Sequence, residues 1–101
     1  MSARDVFARK SSTFEIGGLS LTIRPLSLAS RDRVRQFSTE HKDEPNRFAA
    51  LVAVLGCDQF SEEDEQYLHE EADASMVDKL SEAILKLSGM VPGATEEAEK
   101  N

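Results

Sequence analysis

Apolar and polar residues alternate in two short runs near the start of the chain. Phe14 and Ile16 alternate with Thr13 and Glu15, and Leu19, Leu21 and Ile23 alternate with Ser20 and Thr22. A period of two marks strands with one covered face. Only Gly17 and Gly18 separate the runs. A two-residue glycine linker predicts a tight hairpin, because such turns need positive φ at their central positions. Pro25 ends the second strand, since it has no N–H for a ladder. Residues 1–11 are mostly polar, with Val6 and Phe7 among them, and read as a flexible arm or an extra first strand.

Beyond Pro25 the period lengthens to that of a helix. Ser27 is placed to cap a helix running to about Thr39, its oxygen accepting from an N–H of the first turn. That helix has a thin apolar face of Leu28, Val34 and Phe37, so it is expected at the surface. Arg31 and Arg35, four apart, share another face. Residues 40–46 are polar around Pro45 and predict a loop. Residues 48–55 (Phe-Ala-Ala-Leu-Val-Ala-Val-Leu) are the most apolar run. Length alone permits strand or helix, but Pro45 upstream and Gly56 downstream favour a helix with Gly56 as its stop. With no polar side, this run is the expected centre of the core.

Ser61, followed by Glu62, Glu63 and Asp64, predicts another helix start, with acids placed where the helix dipole favours them. Phe60 precedes the cap, and Tyr67, Leu68 and Ala72 supply the inward face. A last helix is expected over about 74–88. Met76, Val77, Leu80, Ile84, Leu87 and Val91 recur at spacings of three and four, Gly89 is a suitable stop, and Pro92 prevents continuation. Residues 92–101 are expected to form a disordered tail. The whole reads as an α+β fold: an N-terminal β-hairpin, then about four helical segments, in one small domain over residues 12–91.

Composition narrows the function. Of 101 residues, 40% are hydrophobic and the net charge is −7. A chain of this length makes one modest core. No apolar run is long enough to span a membrane, and no secretory leader is read. One cysteine cannot form an internal disulfide, which points to the cytoplasm. The negative balance argues against general binding of nucleic acid phosphates. Charge is also uneven. Residues 1–48 hold nine Lys/Arg against six Asp/Glu, and residues 49–101 hold three against thirteen. A basic half beside an acidic half can draw a second copy head to tail, with Arg31 and Arg35 as the basic contact; it can equally be two ordinary solvated faces.

Candidate chemistry is sparse, and no catalytic, cofactor-binding or metal-binding residue is assigned. Cys57 follows an apolar run, where a buried and inert thiol is the default. His41 lies in a polar loop. Glu65, His69 and Asp73 are four apart and could share a helix face, a weak metal signal. A calcium loop beginning at Asp58 fails on spacing, because Phe60 stands where an oxygen ligand is needed and Glu63 where glycine is needed. Gly17-Gly18 leads into a strand rather than a helix N-terminus, so it is no phosphate cradle.

Three motifs in order carry a resemblance: Arg24-Pro25-Leu26-Ser27 after the hairpin, Phe60-Ser61-Glu62-Glu63-Asp64 with Leu68 behind it, and the closing residues 80–89 ending Leu87-Ser88-Gly89. Together, over roughly residues 13–90, they resemble the tail assembly chaperones of long-tailed bacteriophages and prophages. That family commonly has an Asp-x-x-Gly step before the Phe-Ser segment, whereas here Asp58-Gln59 runs straight into Phe60. The resemblance implies a non-enzymatic, self-associating protein of the bacterial host cytoplasm that keeps the tape measure protein soluble. It also implies a longer frameshifted form that recruits tail tube protein. No cofactor, nucleic acid or membrane is implied. A client-binding strip would be the closing stripe (Met76, Leu80, Ile84, Leu87) or the first helix's thin face (Leu28, Val34, Phe37), although such stripes are usually core. The alternative function is a small acidic regulator or inhibitor that binds a basic protein.

Overall fold

The computed structural model describes residues 2–90. An antiparallel hairpin leads, and helices pack on one of its faces. Strand β1 (Ser12–Ile16) pairs with β2 (Leu19–Ile23) in the register Ser12 with Ile23 through Ile16 with Leu19. Gly17 and Gly18 form the turn at φ of 59° and 77°, a left-handed pair that residues with a Cβ adopt only at a cost. Ahead of the hairpin the chain forms a short helix, α1 (Ala3–Phe7), rather than the expected arm or strand. The local cause is a capping box. Asp5 N–H donates to Ser2 Oγ at 3.3 Å, and the Asp5 carboxylate accepts from Ser2 N–H at 3.2 Å.

The remaining helices are α2 (Leu28–Glu40), α3 (Arg47–Gly56), α4 (Glu65–Glu70) and α5 (Ala74–Leu87), with a 3-10 turn (Glu62–Asp64) leading into α4. The expected caps recur. Ser27 Oγ accepts from Ser30 N–H at 3.1 Å, and the Asp64 carboxylate accepts from Ser61 N–H at 2.8 Å. Asp73, which the sequence pattern did not single out as a cap, begins α5 by accepting from Ser75 N–H at 2.9 Å. Past Gly89, Met90 N–H returns to Leu85 C=O at 2.8 Å and closes α5. The expected tail over residues 92–101 lies outside the described residues.

α3 is the centre of the core, as its unbroken apolar run requires. Ala49 through Val54 are all buried, with Val52 and Ala53 at 0% exposure. α5 crosses it on Val77, Leu80 and Ile84, while Leu21 and Ile23 close the core from the hairpin. Gly56 is the last residue of α3 and does more than end it. A Cβ built there would stand 2.4 Å from Ile84 Cγ2, so only a glycine lets α3 and α5 approach this closely. After Gly56 the backbone runs alongside β2. Ile23 and Cys57 form an isolated antiparallel bridge, Arg24 N–H donates to Gly56 C=O at 2.8 Å, and Asp58 N–H donates to Thr22 C=O at 3.0 Å. These bonds occupy the outer edge of β2 that a bare hairpin would leave open. Among the described residues no helix is long and apolar enough to cross a membrane.

Candidate functional site: an apolar groove at the hairpin tip

The hairpin tip stands beside α4 and α5 without closing onto them. Between them lies a groove of about 380 Å³, walled by Ile16, Leu19, Phe60, Tyr67, Met76 and Leu80, with Glu71 and Asp73 at its rim. Three large apolar side chains on its walls are open to solvent: Leu19 at 61%, Tyr67 at 53% and Met76 at 40%. Grouped apolar exposure of this kind marks an interaction surface, whereas single exposed leucines do not. Leu19 belongs to the same strand face as the buried Leu21 and Ile23. It is the outermost of the three, next to the Gly17-Gly18 turn, and lies open on the groove. Tyr67 was expected to face inward with Leu68. Leu68 is buried, but Tyr67 sits one residue earlier on a six-residue helix and projects to the groove's outer side.

The rim is negative. The Asp73 carboxylate is held below its ordinary range, first by the Ser75 hydroxyl and then by backbone N–H groups of α5, so it stays charged into mild acid. The floor is adaptable. Met76 Cε lies 3.1 Å from where a Gly17 Cβ would be, and a thioether chain can move aside for a ligand at little cost.

The residues expected to bind partners separate into two sets. Val34 and Ile84 are buried among the chain's own core side chains and are not presented to a partner, while Leu80, also buried, reaches the groove only at its base. Of the closing stripe, Met76 and Leu87 remain exposed, as does Leu28 on α2. Phe37 is half-buried under His41, whose ring centroid is 4.3 Å away, and the Arg47 guanidinium lies 5.8 Å over its face. Arg31 is turned inward. Its Nη2 donates to Ser88 C=O at the end of α5, while its buried Nε has no hydrogen-bond partner among the described residues. Arg35 is exposed, 3.8 Å from Asp32.

The basic and acidic halves meet within one chain. Arg24 grips Asp58 with two nitrogens, the shorter contact at 2.9 Å. Arg33 pairs with Glu62, and Arg47 bridges Glu65 and Glu44, each at 2.9 Å. The Arg24 guanidinium lowers the Asp58 pKa, and Arg47 lowers that of Glu44. Part of the sequence's charge asymmetry is thus satisfied internally by Arg24, Arg33 and Arg47.

Other candidate chemistry is dispersed. Glu65 is held by Arg47, His69 Nε2 lies 3.6 Å from Glu44, and Asp73 caps α5, so the three do not converge on a point. Among the described residues no group of three His, Cys, Asp or Glu is arranged to hold a metal. Cys57 is buried beside β2, and desolvation pushes its thiol pKa up, the opposite of what a nucleophile needs. Compared with known proteins, the chain matches no family model, and no curated protein or solved structure is significantly similar to it.

Proposed function

We propose that this chain is a non-enzymatic tail assembly chaperone that covers apolar helical surface on the tape measure protein. The observation that carries the reading is the groove at the hairpin tip, where Leu19, Tyr67 and Met76 expose apolar surface beside a negative rim. An amphipathic helix laid into such a groove buries its apolar stripe against fixed side chains and needs no chemistry from the host. The acidic exterior keeps the loaded complex dispersed, since like-charged surfaces resist association. Motif order in the sequence supports the identity of the client.

The test is co-expression with the tape measure protein of a long-tailed bacteriophage. The native chain keeps that protein in the soluble fraction. The double variant Leu19→Asp, Met76→Asp changes two exposed side chains and, with its fold verified by circular dichroism, leaves the tape measure protein in the pellet. Precipitation beside the native chain, or equal solubility beside the double variant, contradicts the proposal.

A further inference from the structure

Helix α1 is a five-residue helix with no buried residue. Isolated helices this short are marginal in water, and a capping box adds only about 1 kcal/mol. Ala3, Val6 and Phe7 lie three and four apart and form one apolar strip. Phe7 is 86% exposed and Val6 54%. Arg4 sits inside the helix, and Arg9 and Lys10 follow it. The arm is therefore apolar and basic, and among the described residues its one tertiary hydrogen bond runs from Arg9 Nη1 to Pro25 C=O at 3.4 Å. The groove at the hairpin tip is the reciprocal surface: apolar walls of Leu19, Tyr67 and Met76 under an acidic rim of Glu71 and Asp73. The two lie at opposite ends of the hairpin. The arm enters at Ser12, which pairs with Ile23, while the groove begins at the Gly17 turn. Strand geometry puts those ends roughly 13 Å apart.

We infer that the groove of one copy receives α1 of a second copy, with Phe7 seated between Leu19, Tyr67 and Met76. Arg4 and Lys10 then face the acidic rim. Because donor and acceptor surfaces differ and sit at opposite ends, the contact is head-to-tail and can propagate along a row of copies. Residues 91–101 are a poorer occupant on charge, since Glu96, Glu97 and Glu99 would meet the rim with like sign. The inference rests on the groove being a docking surface, as in the proposed function, but not on the client. A client helix that displaces the arm would couple loading to release of the neighbouring copy.

The test is sedimentation of the full-length chain over a range of concentrations and salt. The native chain forms concentration-dependent oligomers that weaken as salt rises. Phe7→Asp, at an exposed site, weakens association by about tenfold or more, the factor expected for losing one buried Phe side chain. Leu19→Asp weakens it similarly. Mixing the two variants restores a dimer and nothing larger, because only one arm and one groove remain intact between them. A monomeric native chain, association unchanged by Phe7→Asp, or no dimer in the mixture overturns the inference. Phe7→Asp still solubilises the tape measure protein, so loss of self-association and loss of client binding are read separately.

Discussion

Ser88 joins two parts of the chain 62 positions apart. Its Oγ accepts from Leu26 N–H at 2.8 Å and donates to Ile84 C=O at 2.7 Å, and its carbonyl accepts from Arg31. All of this happens at a buried site. Ser88→Ala leaves the Leu26 N–H buried without a partner and is expected to cost about 1–3 kcal/mol, read from the denaturant midpoint. Arg31→Glu would put a carboxylate against the Ser88 carbonyl, so its first effect is on stability rather than on association. Gly56→Ala drives a methyl into Ile84 and is expected to destabilise by about 1–3 kcal/mol, read from the denaturant midpoint. Ionisation works at the same scale. Asp58, Glu44 and Asp73 all have lowered pKa values in the folded chain, Asp58 through the Arg24 guanidinium. Groups lowered on folding contribute stability above their unfolded values, near pH 4, and lose it as pH falls through the lowered ones. The unfolding temperature is thus expected to drop from about pH 4 downward, and the fall is expected to be shallower in Arg24→Gln, where Asp58 has lost its partner.

Among the elements, those with a strong period were legible in the sequence and those with a weak one were not. The hairpin was readable because alternation and Gly17-Gly18 agree on one register. The apolar run over 48–55 was readable as a buried helix because Pro45 upstream and Gly56 downstream bound it as one. α5 was readable through its stripe, although the stripe could not say which members are covered: Val77, Leu80 and Ile84 meet α3, while Met76 and Leu87 fall off its edges. α1 was missed because five residues carry almost no period. Its signal was the Ser2-to-Asp5 spacing of a capping box, legible but short. The groove was missed for a different reason. Leu19, Tyr67 and Met76 come from three elements, and their exposure depends on how those elements meet in space, which no local pattern records. Tyr67 reads as inward by its company with Leu68 and is outward by one step of rotation.

For the molecule as a whole, the charge pattern means something other than its linear order implies. The basic first half and acidic second half clasp each other through Arg24 with Asp58, Arg33 with Glu62, and Arg47 with Glu65. Among the surfaces left outside this clasp are a basic, apolar arm at one end of the hairpin and an acid-rimmed, apolar groove at the other. The groove is therefore the surface on which the proposed function stands. It also holds a convenient reporter, since Met76 is one of only three methionines in the chain. The most direct measurement is a methyl spectrum of the chain carrying ε-13C-methionine, in the Phe7→Asp background to remove self-association, with and without unlabelled tape measure protein. The account predicts that the Met76 methyl signal moves on binding and moves further than that of Met90. Binding that leaves the Met76 signal in place would contradict it.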